Sequence, residues 1–191
     1  MTQQQLHLRA RRLSYFTVAY NLLEGMASVV AGSLSGSPAL VGFGLDSFVE
    51  SLSGGVMIWR FRGAQTLPPA TAERIERRAL YLVGTTFFVL GAYVLYQSAS
   101  ALYRQEPPDV SVIGLAIVVA SLIVMPLLFR AKQRTGRALN SRSLVADSRQ
   151  TLACVLLSIG VLLGLMLNAT LGFWQADPIV GLVVAAYLFY E

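Results

Sequence analysis

Two carboxylates, Asp46 and Glu50, stand one helical turn apart in the run PALVGFGLDSFVESLSGGVMIW, Pro38 to Trp59, which is otherwise apolar enough to cross a bilayer. Residues at i and i+4 share a helix face with side chains about 5–6 Å apart. Like charges at that separation repel unless a proton or a cation lies between them. An acid near a membrane midplane costs roughly 2.5–3.5 kcal/mol on the most lenient insertion scale, so such residues usually face a cavity or a partner. The chemistry that suits this pair is the binding of a dehydrated cation. A second polar set lies in LVADSRQTLACVLLSIGVLLG, where Asp147, Gln150 and Cys154 recur at i, i+3 and i+7 and keep to one helical face. That stripe of carboxylate, amide and thiol could meet the Asp46/Glu50 face around a metal ion; alternatively Gln150 and Cys154 bond between helices or pack. Asp147 and Arg149 fall near the end of their run, which suits a gate or a salt bridge rather than coordination. Asn21 and Glu24, in the first apolar run, suit cation steering or a proton relay, or else the capping of another helix's backbone.

These residues need a membrane framework, and the composition supplies one. Of 191 residues, 55% are hydrophobic and 13% charged, against about 25% charged in ordinary soluble domains. Apolar runs predict spans at about 13–32, 38–59, 79–103, 110–129, 144–168 and 174–190. A bilayer core of about 30 Å needs about 20 helical residues. The first five runs meet that length; the sixth is short, but Asp177-Pro178 reads as its helix start, or the helix begins earlier near Phe173. The expected fold is therefore an all-α integral membrane protein, with one transmembrane domain over residues 1–191 and no soluble domain. The first run holds Asn21 and Glu24 and lacks a small-residue cleavage site, so it should stay as a helix rather than leave as a signal peptide. Cys154 is the only cysteine, which excludes an intramolecular disulfide framework and leaves a packing residue or a soft metal ligand.

Orientation follows from the basic residues. Arg9, Arg11 and Arg12 precede the first span; Arg60, Arg62, Arg74, Arg77 and Arg78 lie between the second and third; Arg130, Lys132, Arg134, Arg137 and Arg142 lie between the fourth and fifth. Thirteen of the fifteen basic residues thus fall on one side, which places both termini in the cytoplasm. The outer connections are then short, around Ser33–Ser37, Arg104–Asp109 and Ala169–Asp177. The sequence pI of about 9.7 does not point to nucleic acid. Its basic residues flank spans without interleaved aromatics, so orientation and anionic lipid account for them. Pro68 and Pro69 are expected to end the preceding segment, with Thr71 capping the third helix and Glu73 in its first turn.

Spans one, two and five hold nearly all the ionisable groups and should line a polar interior, while three and four, with Ser, Thr, Tyr and Gln only, supply outer packing. Tyr81, Tyr93, Tyr96 and Tyr103 read as packing or interface residues. Gly160-x-x-x-Gly164 permits close helix approach. Gly54-Gly55 is placed to loosen the second helix and Pro126 to kink the fourth, and His7, the only histidine, lies in the N-terminal tail. No base–nucleophile pair and no cofactor motif is evident, so an enzyme is not expected.

Taken with those residues, the chain resembles the cation diffusion facilitator family of divalent-metal transporters. The resemblance runs from about Leu13 to the end, through Asn21 and Glu24, GSPALVGFGLDSFVES, ADSRQTLAC and the ADP before the last span. It implies a homodimeric exporter of zinc, cadmium, cobalt, iron or manganese, working against protons in a plasma membrane, the inner membrane of a bacterium. The resemblance carries the metal site onto Asp46 and Glu50 of helix two and Gln150 and Cys154 of helix five. Where many zinc-specific members have His-x-x-x-Asp in helix five, this sequence has Gln-x-x-x-Cys, and Glu50 stands where Asp is usual. The cytoplasmic metal-binding domain that many relatives carry after helix six is not expected here. The resemblance also implies that helices one, two, four and five rock against a three/six pair.

Two carboxylates, an amide oxygen and a thiolate form a set that Zn²⁺ tolerates in tetrahedral geometry. The sulfur disfavours Mg²⁺ and Ca²⁺; Zn²⁺ is the first choice, with Cd²⁺, Fe²⁺, Co²⁺ and Mn²⁺ open. Because a bound dication expels protons from its ligands, metal loading and proton loading exclude each other, which is the logic of an antiporter. Two other classes fit the same residues: a membrane metal-binding or accessory protein with little transport, and a small channel.

Overall fold

A computed structural model describes residues 2–35, 38–62, 69–105, 112–171 and 174–190. Among them the chain is all-α, with α1 (Gln3–Ser35), α2 (Pro38–Phe61), α3 (Pro69–Arg104), α4 (Val112–Ala138), α5 (Arg142–Leu171) and α6 (Ala176–Tyr190). Within the described residues a helix covers most of each of the six apolar runs, and α1, α3 and α4 run well past their apolar stretches. The expectations placed on Gly36, Ser37, Pro68, Glu106–Asp109 and Phe173 lie outside the described residues, as do those on the side chains of Gly164 and Asp177. By length and composition, α3 from Ala70 and α4 are long and apolar enough to cross a membrane, and Gly181–Tyr190 is a shorter apolar stretch.

The start of α3 differs from the sequence expectation. The helix begins at Pro69 and not after a cap at Thr71, because proline has the right φ for a first helical position and its missing N–H has no bond to lose there.

Close approach of α1 and α2 depends on glycine. A Cβ on Gly44 would lie 2.7 Å from the Gly25 carbonyl oxygen, and one on Gly54 would lie 2.9 Å from Val18 Cγ2. Gly54 therefore serves the α1–α2 contact, while nothing lies within 4 Å of the position for a Gly55 Cβ. α3 and α6 form an apolar pair. Val83, Phe87, Leu90 and Val94 of α3 meet Val184, Ala185 and Leu188 of α6, in a core that also takes Met57, Leu144 and Leu157.

α4 and α5 form a hairpin closed by a specific turn. The Asn140 amide donates to the Arg137 carbonyl (3.2 Å) and the Ser141 amide to the Gly136 carbonyl (3.0 Å), with Asn140 at φ 52°. That is a Schellman stop, in which asparagine tolerates the left-handed conformation. Ser141 then caps α5, its Oγ accepting from the Leu144 amide at 3.4 Å. The turn fixes the register between the last turns of α4 and the first turns of α5.

Candidate functional site

The register of that hairpin brings a residue into the interior that the apolar pattern of the sequence had left outside it. Lys132 of α4 is fully buried, at 0% exposure. Its Nζ lies 2.8 Å from Asp147 Oδ2 and 3.7 Å from Glu50 Oε1, and it donates to Thr151 Oγ1 at 3.0 Å. Thr151 in turn donates to Glu50 Oε1 at 2.5 Å, and Ser53 of α2 donates to Asp147 Oδ1 at 2.6 Å. One ammonium, two carboxylates and two hydroxyls therefore tie α2, α4 and α5 together. Lys132 belongs to a helix interior and not to a basic loop, and α4 is not outer packing alone: Ser121 and Thr135 are buried on it as well. The pattern carried a signal for this. Buried positions Val118, Ser121, Met125 and Leu128 step by three and four, and the same stepping reaches Lys132 and Thr135.

The sequence-derived candidates are distributed as follows. Asp46 and Glu50 are both buried on α2, at 6% and 1% exposure. Asp46 Oδ1 and Glu50 Oε2 have no hydrogen-bond partner among the described residues. Gln150 faces α3, where its Oε1 accepts from Thr86 Oγ1 at 3.1 Å, while its Nε2 has no partner among the described residues. Cys154 is buried with Phe43, Met125, Leu128 and Val155, and Glu50 is near its thiol. Glu24 accepts from Ser47 Oγ at 2.8 Å through Oε2. Its Oε1 and the side-chain polar atoms of Asn21 make no well-formed hydrogen bond among the described residues, although Ser121 and Tyr20 lie near the Glu24 carboxyl and Asn21 near that of Glu50. Asp147 is paired with Lys132, while Arg149 two positions on is exposed. The structure thus brings Glu50 and Asp147 to one cation, Lys132, and turns Gln150 toward another helix. Among the described residues, no group of three or more His, Cys, Asp or Glu side chains is placed to hold a metal ion.

A second carboxylate node lies outside the apolar run of α3, before Ala79. Glu76 accepts from Arg60 Nε at 2.5 Å, from the Ser143 amide at 2.8 Å, and from the Ser141 and Ser143 hydroxyls at 3.0 Å. It sits at the positive end of α5, where a carboxylate is favoured. Partial burial pushes its pKa up, but the Ser143 amide, Arg60 and Ser141 outweigh that and hold the carboxyl below its ordinary value.

A profile of the cation efflux transmembrane domain matches residues 14–191. Transmembrane protein 163 of Xenopus laevis is 23% identical over 182 residues, covering 95% of this chain and 64% of the relative. An uncharacterized transporter of Methanocaldococcus jannaschii is 25% identical over 173 residues, 88% of this chain and 61% of the relative. An uncharacterized transporter of Synechocystis sp. is 29% identical over 160 residues, 81% of this chain and 51% of the relative. The chain therefore spans about half to two-thirds of the length of these curated relatives.

Proposed function

We propose, from the premise that this chain belongs to the cation diffusion facilitator family, that it moves a divalent metal ion out of the cytoplasm by alternating access in exchange for protons, with zinc the first candidate. In this reading all six helices cross a plasma membrane with both termini in the cytoplasm, and two copies of the chain pair. The observation that carries the reading is the unpartnered Asp46 Oδ1 and Glu50 Oε2, one turn apart and buried. A buried acceptor without a donor is expensive, and two such carboxylate oxygens are acceptors suited to a cation. Gln150 and Cys154 are the proposed remaining ligands. In this conformation Gln150 is only half committed, with one of its two polar atoms bonded to Thr86. A modest rotation of α5 against α2 and α3 would free it to complete the set, as a two-state carrier requires.

A second reading has its own support. With Lys132 against Glu50 and no group of three such side chains gathered among the described residues, a metal-binding accessory protein with little flux also fits. Proteoliposomes holding a zinc-sensitive dye separate the readings. Uptake driven by an imposed pH gradient and lost in Asp46→Ala is the expected result. Binding without flux sinks the carrier in favour of the accessory protein, and flux indifferent to the gradient indicates a channel.

A further inference from the structure

We infer that Lys132 is a tethered counter-cation: it competes with the transported ion for Glu50 and retreats onto Asp147 when the ion enters. The inference rests on the transport reading and adds to it a residue that sets affinity and release. It begins from an asymmetry of distances. The ammonium is in direct contact with Asp147 at 2.8 Å but stands 3.7 Å from Glu50. A small recoil breaks the longer contact and keeps the shorter one. Thr151 lies between the two acids, accepting from Lys132 and donating to Glu50, so it can hold either partner as the ammonium shifts.

The framework supports such a division. Lys132, Asp147 and Thr151 all sit on the α4–α5 hairpin, whose Schellman turn and Ser141 cap fix the register between the two helices. Glu50 belongs to α2. The Lys132–Glu50 contact therefore crosses the boundary that an ion at Glu50 has to enter. In that position the ammonium neutralises Glu50 when no ion is bound, and repels a dication that has arrived. Repulsion at a few ångströms in a site of low dielectric is strong, so the lysine weakens binding and speeds release without any change in its own protonation. Asp147 is the parking position, and Ser53 keeps that carboxylate oriented by donating to its other oxygen.

The test uses the full chain in nanodiscs, with Zn²⁺ binding and proteoliposome flux read on the same variants. Lys132→Met is expected to bind Zn²⁺ at least about tenfold more tightly, with KM and maximal flux both falling because release slows. Asp147→Asn is expected to shift affinity the other way, since the ammonium then has only Glu50 to pair with. Lys132→Arg keeps the charge and should restore affinity close to wild type. A lysine that merely holds the fold would lower stability in all these variants without moving affinity in opposite directions. Lys132→Met leaves Asp147 buried without its cation, so the doubly substituted Lys132→Met/Asp147→Asn chain provides a neutral replacement, and it too should bind more tightly than wild type. Unchanged or weaker Zn²⁺ binding in the double variant, with Asp46→Ala still abolishing binding, overturns the inference and leaves the transport reading intact. Full binding and flux in Asp46→Ala would instead remove the transport reading itself.

Discussion

Glu76 and Glu50 are both largely buried glutamates, yet their surroundings differ in kind. Both oxygens of Glu76 are engaged, by an arginine, a backbone amide and two serine hydroxyls at the head of α5. Only one oxygen of Glu50 is firmly engaged, by Thr151 and at longer range by Lys132; its other oxygen makes no well-formed hydrogen bond among the described residues, with Asn21 the polar group beside the carboxyl. A carboxylate that is satisfied all round serves the fold. One that is half satisfied, beside Asp46 whose Oδ1 also makes no hydrogen bond among the described residues, holds spare acceptor capacity where the fold gains nothing from it. On the transport reading proposed above, the contrast would separate stability from function within a single residue type.

That contrast breaks first on flux. Asp46→Asn should lower Zn²⁺ flux by at least about 100-fold, the upper end of what even outer-shell changes cost a metal site. Its thermal midpoint in detergent should be unchanged or higher, because a buried acid without a donor is replaced by a neutral amide. Glu76→Gln should do the reverse, costing roughly 2–3 kcal/mol through a lost charged hydrogen bond and a weakened helix cap, while flux per folded molecule stays within about twofold of wild type. If Asp46→Asn destabilises and Glu76→Gln does not, the assignment of roles is inverted.

How much of this was legible beforehand depends on which physical signal each residue gave. The six helices, the acidic pair of α2 and the polar stripe of α5 followed from hydropathy and spacing. Lys132 did not, because composition turns basic at Arg130 and a run of cations reads as a loop. The periodic burial of α4 continued through it nonetheless, so period was a better guide than composition. The α4–α5 turn was also written locally, in an asparagine that can enter the left-handed region followed by a serine that can cap. The facing of Gln150 was not legible. Helical spacing placed it with Asp147 and Cys154, whereas α3 packs close enough to draw its amide to Thr86. Spacing defines a stripe, and only tertiary packing decides which edge of the stripe meets which neighbour.

Acidity sharpens the comparison next. The Glu76 carboxyl is held below its ordinary value of 4.5 by its donors. A depressed carboxylate contributes stability that is fully present above the unfolded-state value and is lost as pH falls through the lower folded-state value. The thermal midpoint of wild type should therefore drop between about pH 5 and pH 3. Glu76→Gln should start lower and lose less over the same interval, so the two curves converge as pH falls. Curves that stay parallel would mean that Glu76 is not the group whose protonation loosens the head of α5.

The smallest effect concerns Gln150. Thr86→Val keeps the shape of the side chain and removes the hydroxyl that holds the Gln150 amide toward α3. A neutral hydrogen bond of this kind is worth about 1 kcal/mol, so the stability change should be of that order. If Gln150 joins Asp46 and Glu50 when metal is bound, releasing it from Thr86 lowers the cost of that rotation. Zn²⁺ binding should then tighten by up to about fivefold. Binding that weakens in step with stability would show that the Thr86 contact persists in the loaded state and that Gln150 is an interhelical tie and not a ligand.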